Sequence, residues 1–294
     1  MSANLKIWLE AARPKTLPAA VVPVMVATAL AATHQAADFT RAGICLAFAL
    51  LVQIGTNFAN DYYDFVQGAD TAARVGPRRA VAAGLVTPRQ MLVATWLVLG
   101  VAFGVGLLLV HAVGWLLLPV GVVSIVCAIA YTGGPFPLGY NGLGDLFVFV
   151  FFGLVAVCTT FYVQTGHVTP DVIFCAAAIG LLAANILVAN NYRDAETDAL
   201  AGKKTLVVRF GRKCALWQYA LSHLVALLCP PTLLLTGNYR WPVLLPLLLT
   251  PLAVSLTRRL ATSREPQERI ALLGATARLL AAYGVLLSLG VVLG

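Results

Sequence analysis

The sequence predicts an all-α membrane protein, and three observations carry that reading: an apolar composition, nine apolar runs of spanning length, and positive charge concentrated on one side. The 294 residues are 60% hydrophobic and only 11% charged, with a mean hydropathy of +0.86. A soluble domain of this size needs far more polar surface, so lipid is the solvent for much of the chain. Lipid offers the backbone no hydrogen-bond partners, which leaves helices as the spanning structure. The net charge of +8 does not mark a nucleic-acid binder. The basic residues lie in short loops between apolar runs and form no stripe.

A span needs about 20 mostly apolar residues. In order, the runs fall near 17–33, 42–63, 88–109, 113–132, 143–165, 171–192, 214–235, 241–257 and 270–293. The first follows Lys6, Glu10, Arg13 and Lys15 with no small-residue cleavage site, which predicts an uncleaved span rather than a signal peptide. The second ends in Asn57, Asn60, Asp61 and Asp64. The third holds Gly100 and Gly104, a small-xxx-small pair expected at a helix–helix contact. The fifth opens at Asn141-Gly142-Leu143-Gly144-Asp145, where an acid suits the positive end of a helix. The sixth ends in a second acidic run, and only Thr236 to Arg240 divides the seventh from the eighth. The six cysteines are scattered and read as small buried hydrophobes, and the four histidines suggest no zinc site.

Charge orients the spans. With the N-terminus inside, the cytoplasmic side collects Lys6, Arg13, Lys15, Arg74, Arg78, Arg79, Arg89, Arg193, Lys203, Lys204 and the basic residues of 209–213 and 258–269. The other side keeps Arg41 and Arg240, and Arg278 falls inside the last span. The positive-inside rule therefore predicts a cytoplasmic N-terminus. Asp61, Asp64, Asp70, Asp145, Asp194, Glu196 and Asp198 gather on that same side. Acids at membrane depth are costly and usually face a cavity, a partner or an ion.

Two motifs stand out. Asn57, Asn60, Asp61 and Asp64 have i, i+3, i+4, i+7 spacing and share one helical face, with Gly68 and Asp70 following. Asn190, Asp194 and Asp198 stack at successive i+4 positions. Both contain Asn-x-Tyr-x-Asp, at Asn60-Tyr62-Asp64 and Asn190-Tyr192-Asp194, and both end an outside-to-inside span. The expectation is one integral-membrane domain over residues 1–294 with two pseudo-repeated halves, their motifs at 57–70 and 190–198.

Carboxylate and amide oxygens suit Mg²⁺, which shares its shell with substrate phosphates. Carboxylates facing one cavity repel one another unless a cation intervenes. Arg74, Arg78 and Arg79 follow the first motif, and Lys203 and Lys204 the second; such side chains bind phosphate oxygens. Each residue alone has an ordinary reading. Asn57 or Asn190 can be interhelical glue, Tyr62, Tyr63 and Tyr192 interfacial belt residues, Asp145 a cap, and Arg258, Arg259, Arg264 and Arg269 topology markers. The combination points to a site. A cation-coupled transporter is the competing class, but its acids belong near the bilayer centre and not at helix ends.

These residues resemble the UbiA superfamily of intramembrane prenyltransferases over essentially the whole chain. The resemblance implies nine transmembrane helices around a central cavity, with two Asp-rich motifs binding Mg²⁺ and a prenyl diphosphate. The first signature, NDxxDxxxD, is matched at Asn60, Asp61 and Asp64, but Gly68 stands at its last position and Asp70 is the nearest substitute. The second, DxxxD, is matched at Asp194 and Asp198. Further stretches are similar to the branch that acts in menaquinone biosynthesis on 1,4-dihydroxy-2-naphthoate. They are Ala12 to Pro18, Gln53 to Asp64, Arg74 to Arg79, Tyr131 to Pro135 with Pro137 to Tyr140, Asn190 to Asp194 and Gly202 to Leu206.

By that resemblance, Asn60, Asp64, Asn190, Asp194 and Asp198 hold the metal. Lys15, Asn57, Arg74, Arg78, Arg79, Tyr131, Arg193 and Lys203 bind substrate, and Asp61 and Asp145 orient a cation or act as bases. Tyr131, Tyr140, Phe149 and Phe161 are candidate shields for an allylic cation. The implied partners are a polyprenyl diphosphate, the naphthoate and the lipid bilayer, with no nucleic acid and no obligate protein partner. The implied location is a bacterial inner membrane with the site on the cytoplasmic side. 4-Hydroxybenzoate is the alternative acceptor.

Overall fold

A computed structural model describes residues 3–70 and 78–294. The helices are α1 (Ala3–Ala11), α2 (Pro18–Thr33), α3 (Phe39–Val66), α4 (Pro88–Val113), α5 (Leu117–Ala130), α6 (Gly144–Thr165), α7 (Pro170–Leu200), α8 (Leu206–Leu235), α9 (Trp241–Thr262) and α10 (Pro266–Leu293). From α2 to α10 they coincide one for one with the predicted runs. Among the described residues, α3, α4 and α6 to α10 are long and apolar enough to cross a membrane.

The two others qualify the predicted count of nine. The 16-residue α2 continues a helical stretch begun in α1 across a 54° bend, and together the pair makes one further span. The 14 residues of α5 reach about 21 Å at the α-helical rise, short of the roughly 30 Å hydrocarbon core.

Local sequence sets the boundaries. Pro14 and Pro18 interrupt the α1–α2 stretch, and Arg13 just before them takes a left-handed conformation (φ 52°). Asp38 caps α3 by accepting from the Arg41 amide at 2.9 Å, and Thr87 with Gln90 forms a reciprocal capping box on α4. At the end of α7 the left-handed Gly202 (φ 73°) lets the Lys203 amide turn back to the Asp198 carbonyl at 2.9 Å. That closure fixes where Lys203 leaves the helix.

The buried helix α7 anchors the core, packed against α2, α6, α8 and α10. Its crossing with α6 depends on two glycines. A Cβ on Gly153 would lie 2.5 Å from the Ala176 carbonyl oxygen, and one on Gly180 2.6 Å from the Phe149 carbonyl oxygen. Polar pairs bind the core further: Tyr219 to Thr276 at 2.7 Å, Tyr283 to the Ala226 carbonyl at 2.6 Å, and Asn185 to the Tyr219 carbonyl at 3.0 Å. Gly100 and Gly104 correct the expectation made of them: a Cβ on either would meet nothing within 4 Å. They face outward and mark no helix contact.

Candidate active site

A cavity of about 330 Å³ runs between α3, α4, α5, α6 and α7. Asn57, Asn60, Asp64, Asn190, Asp194 and Asp198 line one end together with Arg13, Arg79, Tyr140 and Lys203. Phe48, Phe103, Leu107, Val110, Leu118 and Phe151 line its apolar length. On α3 alone, Phe48 and Asp64 are about 24 Å apart along the axis, so the cavity joins a charged head to a long greasy body.

The two acidic motifs meet at the head. Asp64, 2% exposed, accepts from Arg79 Nη2 at 2.8 Å, from Tyr140 Oη at 2.7 Å and from Lys203 Nζ at 3.0 Å. Lys203 also lies 3.9 Å from Asp198. Arg79 reaches Asp70 at 3.6 Å, so the carboxylate displaced by Gly68 stays within this ion-pair group. Burial, and next the Asp64 carboxylate, push the Tyr140 phenol well above its ordinary range, so it remains a proton donor to Asp64. Asp194 is chelated by its neighbour Arg193, Nε at 2.7 Å and Nη2 at 2.6 Å, while Arg193 Nη2 also holds the Asn190 oxygen at 2.9 Å. Asn60 accepts from Thr132 at 2.8 Å, and Asn57 donates to the Ala12 carbonyl at 2.9 Å.

Other residues proposed from sequence lie elsewhere. Asp61 is off the cavity wall, and its two oxygens accept the Ala80 and Val81 amides at 3.0 Å each. It organises the turn that carries Arg79. Asp145 is buried off the cavity and accepts from Gln218 at 3.0 Å. Arg193 backs Asp194 from behind and does not line the cavity. Lys15 and Arg78 are exposed and off the wall, and Arg74 lies outside the described residues. Tyr131 does line the cavity. Gly139 and Gly144 clear its ring, since a Cβ on either would sit within 3.1 Å of it.

Phe149 and Phe161 are misplaced as shields. Phe161 packs in the core against His34, and Phe149 faces Gly180 on α7. A π-helical stretch over Phe149–Val155 shifts the helical register, and Phe147, Phe151 and Phe152 face the cavity instead. Sequence reasoning also passed over Arg13, whose only signal was its place before Pro14, and Asn191 beside Asn190.

The donor set fits a hard divalent cation. Asn57, Asn60, Asp64, Asn190, Asp194 and Asp198 bring carboxylate and amide oxygens to the cavity wall, and a single ammonium already lies within ion-pair distance of Asp64 and Asp198. A positive charge is therefore accommodated between the motifs.

Comparison with known proteins agrees with this architecture. The UbiA prenyltransferase family matches residues 20–288. The 1,4-dihydroxy-2-naphthoate octaprenyltransferase of Haemophilus influenzae is 35% identical, with 99% of this chain and 97% of that protein covered. Its Mycobacterium tuberculosis namesake is 47% identical over 71% of each chain. A UbiA homolog from Archaeoglobus fulgidus, solved bound to GPP and Mg²⁺, superposes with a TM-score of 0.66, covering 96% of this chain and 99% of that one. At 16% identity that likeness concerns the fold alone. A helical bundle of this fold, with a family match from its first apolar helix into its last, identifies the chain as an integral membrane protein that belongs to the UbiA prenyltransferase family.

Proposed function

We propose that the protein transfers a polyprenyl group from an allylic polyprenyl diphosphate to 1,4-dihydroxy-2-naphthoate, with loss of the ring carboxylate, at the cytoplasmic face of a bacterial inner membrane. The observation that carries the reading is the cavity itself: oxygen donors of both acidic motifs, with Arg79 and Lys203, stand at the head of a long apolar channel. A diphosphate attached to a prenyl tail has that same division of chemistry.

Asn60, Asp64, Asn190, Asp194 and Asp198 would hold Mg²⁺, which when bound neutralises a diphosphate and makes it a better leaving group. Arg79 and Lys203 lie close enough to the acids to take phosphate oxygens, and Arg74 is a further clamp by sequence position. Arg193 holds Asp194 in orientation through two hydrogen bonds. The allylic C–O bond breaks and its electron pair departs with the diphosphate. The electron-rich ring then forms the new C–C bond, and the carboxylate leaves as carbon dioxide, returning its bonding pair to the ring. The apolar wall excludes water from the cation, and Tyr131 presents an aromatic ring to it. The two motifs belong to two halves of one domain.

The test offers detergent-purified protein Mg²⁺ and a prenyl diphosphate, with 1,4-dihydroxy-2-naphthoate and 4-hydroxybenzoate in parallel. Prenylated, decarboxylated naphthoate product that disappears with EDTA is the expected result. Product from 4-hydroxybenzoate alone would overturn the acceptor, and no product from folded protein with either would overturn the reaction.

A further inference from the structure

Lys203 and Arg193 both neutralise the acidic motifs, but they are held differently. Arg193 chelates the residue next to it in α7, its side chain is 1% exposed, and it stays off the cavity wall. Moving it would strand a buried carboxylate. Lys203 comes from the loop between α7 and α8, lines the cavity, and links Asp64 at the end of α3 to Asp198 at the end of α7, at 3.0 Å and 3.9 Å. Its backbone is fixed by the turn at Gly202 and by the Lys204 amide, which donates to the Tyr140 carbonyl at 2.7 Å. Its ammonium rests 4.6 Å over the Tyr140 ring. The anchored part is thus the backbone, while the charge rides on a flexible four-carbon stem.

We propose that Lys203 is an exchangeable counter-ion: it joins the two acidic motifs until a divalent cation takes its place, and then turns to the diphosphate. The inference rests on the prenyl-diphosphate reading above. A divalent ion approaching Asp64 and Asp198 meets the ammonium at the same oxygens, and like charges at such separations repel strongly in a partly buried site. Metal alone therefore binds weakly. Diphosphate alone must draw Lys203 away from Asp64 and Asp198 and forfeit those two ion-pair contacts. Each ligand removes the obstacle to the other, which is a coupling free energy between them.

The experiment measures two bindings separately on the detergent-solubilised full chain: Mn²⁺ alone, by electron paramagnetic resonance, and inorganic pyrophosphate alone in EDTA, by calorimetry. In Lys203→Met, Mn²⁺ should bind about tenfold more tightly, within the usual span of such couplings, while pyrophosphate binds more weakly. Lys203→Arg should restore both toward wild type. A structural pillar would instead weaken both ligands, and that outcome, or unchanged Mn²⁺ affinity, overturns the exchange. Lys203→Gln repeats the measurement should the methionine variant not purify. Wild-type protein that binds neither probe and makes no product sinks the underlying reading, whereas product formation with unchanged Mn²⁺ affinity in the variant sinks the exchange alone.

Discussion

The two acidic motifs share Asn-x-Tyr-x-Asp in sequence, yet the chain equips them differently. Asp194 takes its counter-ion from Arg193, one residue before it on the same helix. Asp64 takes its partners from three remote places: Arg79 in the turn before α4, Tyr140 before α6, and Lys203 after α7. In the second motif the central acid, Asp194, is neutralised from within its own helix. The first is the junction where separate parts of the chain meet. Shared spacing therefore shows which side chains share a face, and says nothing about which cations reach them.

Removing the acids should have the largest effect. Asp64→Ala and Asp194→Ala are each expected to cut product formation by about 10³-fold or more, the scale of losing a main electrostatic contact in a reacting site, in protein that still elutes as a folded species. Wild-type turnover in either would remove the ligand argument.

Next come the counter-ions. Arg193→Met leaves Asp194 buried and uncompensated and should cost about 3–5 kcal/mol of stability. Arg79→Met leaves Asp64 with Lys203 and Tyr140 and should cost about 1–2 kcal/mol, with a rise in KM for the prenyl donor. Equal melting shifts in detergent would break the distinction between the motifs. Asp61→Ala strands the Ala80 and Val81 amides and should cost about 2 kcal/mol, raising donor KM through a displaced Arg79; a donor KM like wild type would show that Asp61 does not position it. Asp38→Ala should be smallest, losing a helix cap worth about 1 kcal/mol with turnover unchanged.

The bundle was legible because an apolar run near 20 residues has few alternatives in lipid. The length of α5 was not, since apolar flanks extend the hydropathy signal past the helix ends. The cavity acids were legible from i+3 and i+4 spacing, with one instructive failure. Asp61 and Asp64 are neighbours by that rule, but residues three apart differ by about 60° in direction. That rotation separates a side chain facing the cavity from one bonded to the Ala80 and Val81 amides. The aromatics failed for a related reason: the wider turn in α6 changes which phenylalanines look inward, and composition carries no mark of it. The pairing of Lys203 with Asp64, 139 residues apart in the chain, depends on tertiary folding and leaves no local trace.

The clasp between Asp61 and the Ala80–Val81 amides has a consequence for how such a protein can diversify. Arg79 is delivered to Asp64 from its C-terminal side, by a fastening one helical turn from the acid it serves. Its placement is thus independent of the number of residues in the preceding segment. Insertions between Asp70 and Arg79 should therefore leave the cation at its station, because the clasp holds it from the far side rather than through the chain that leads into it.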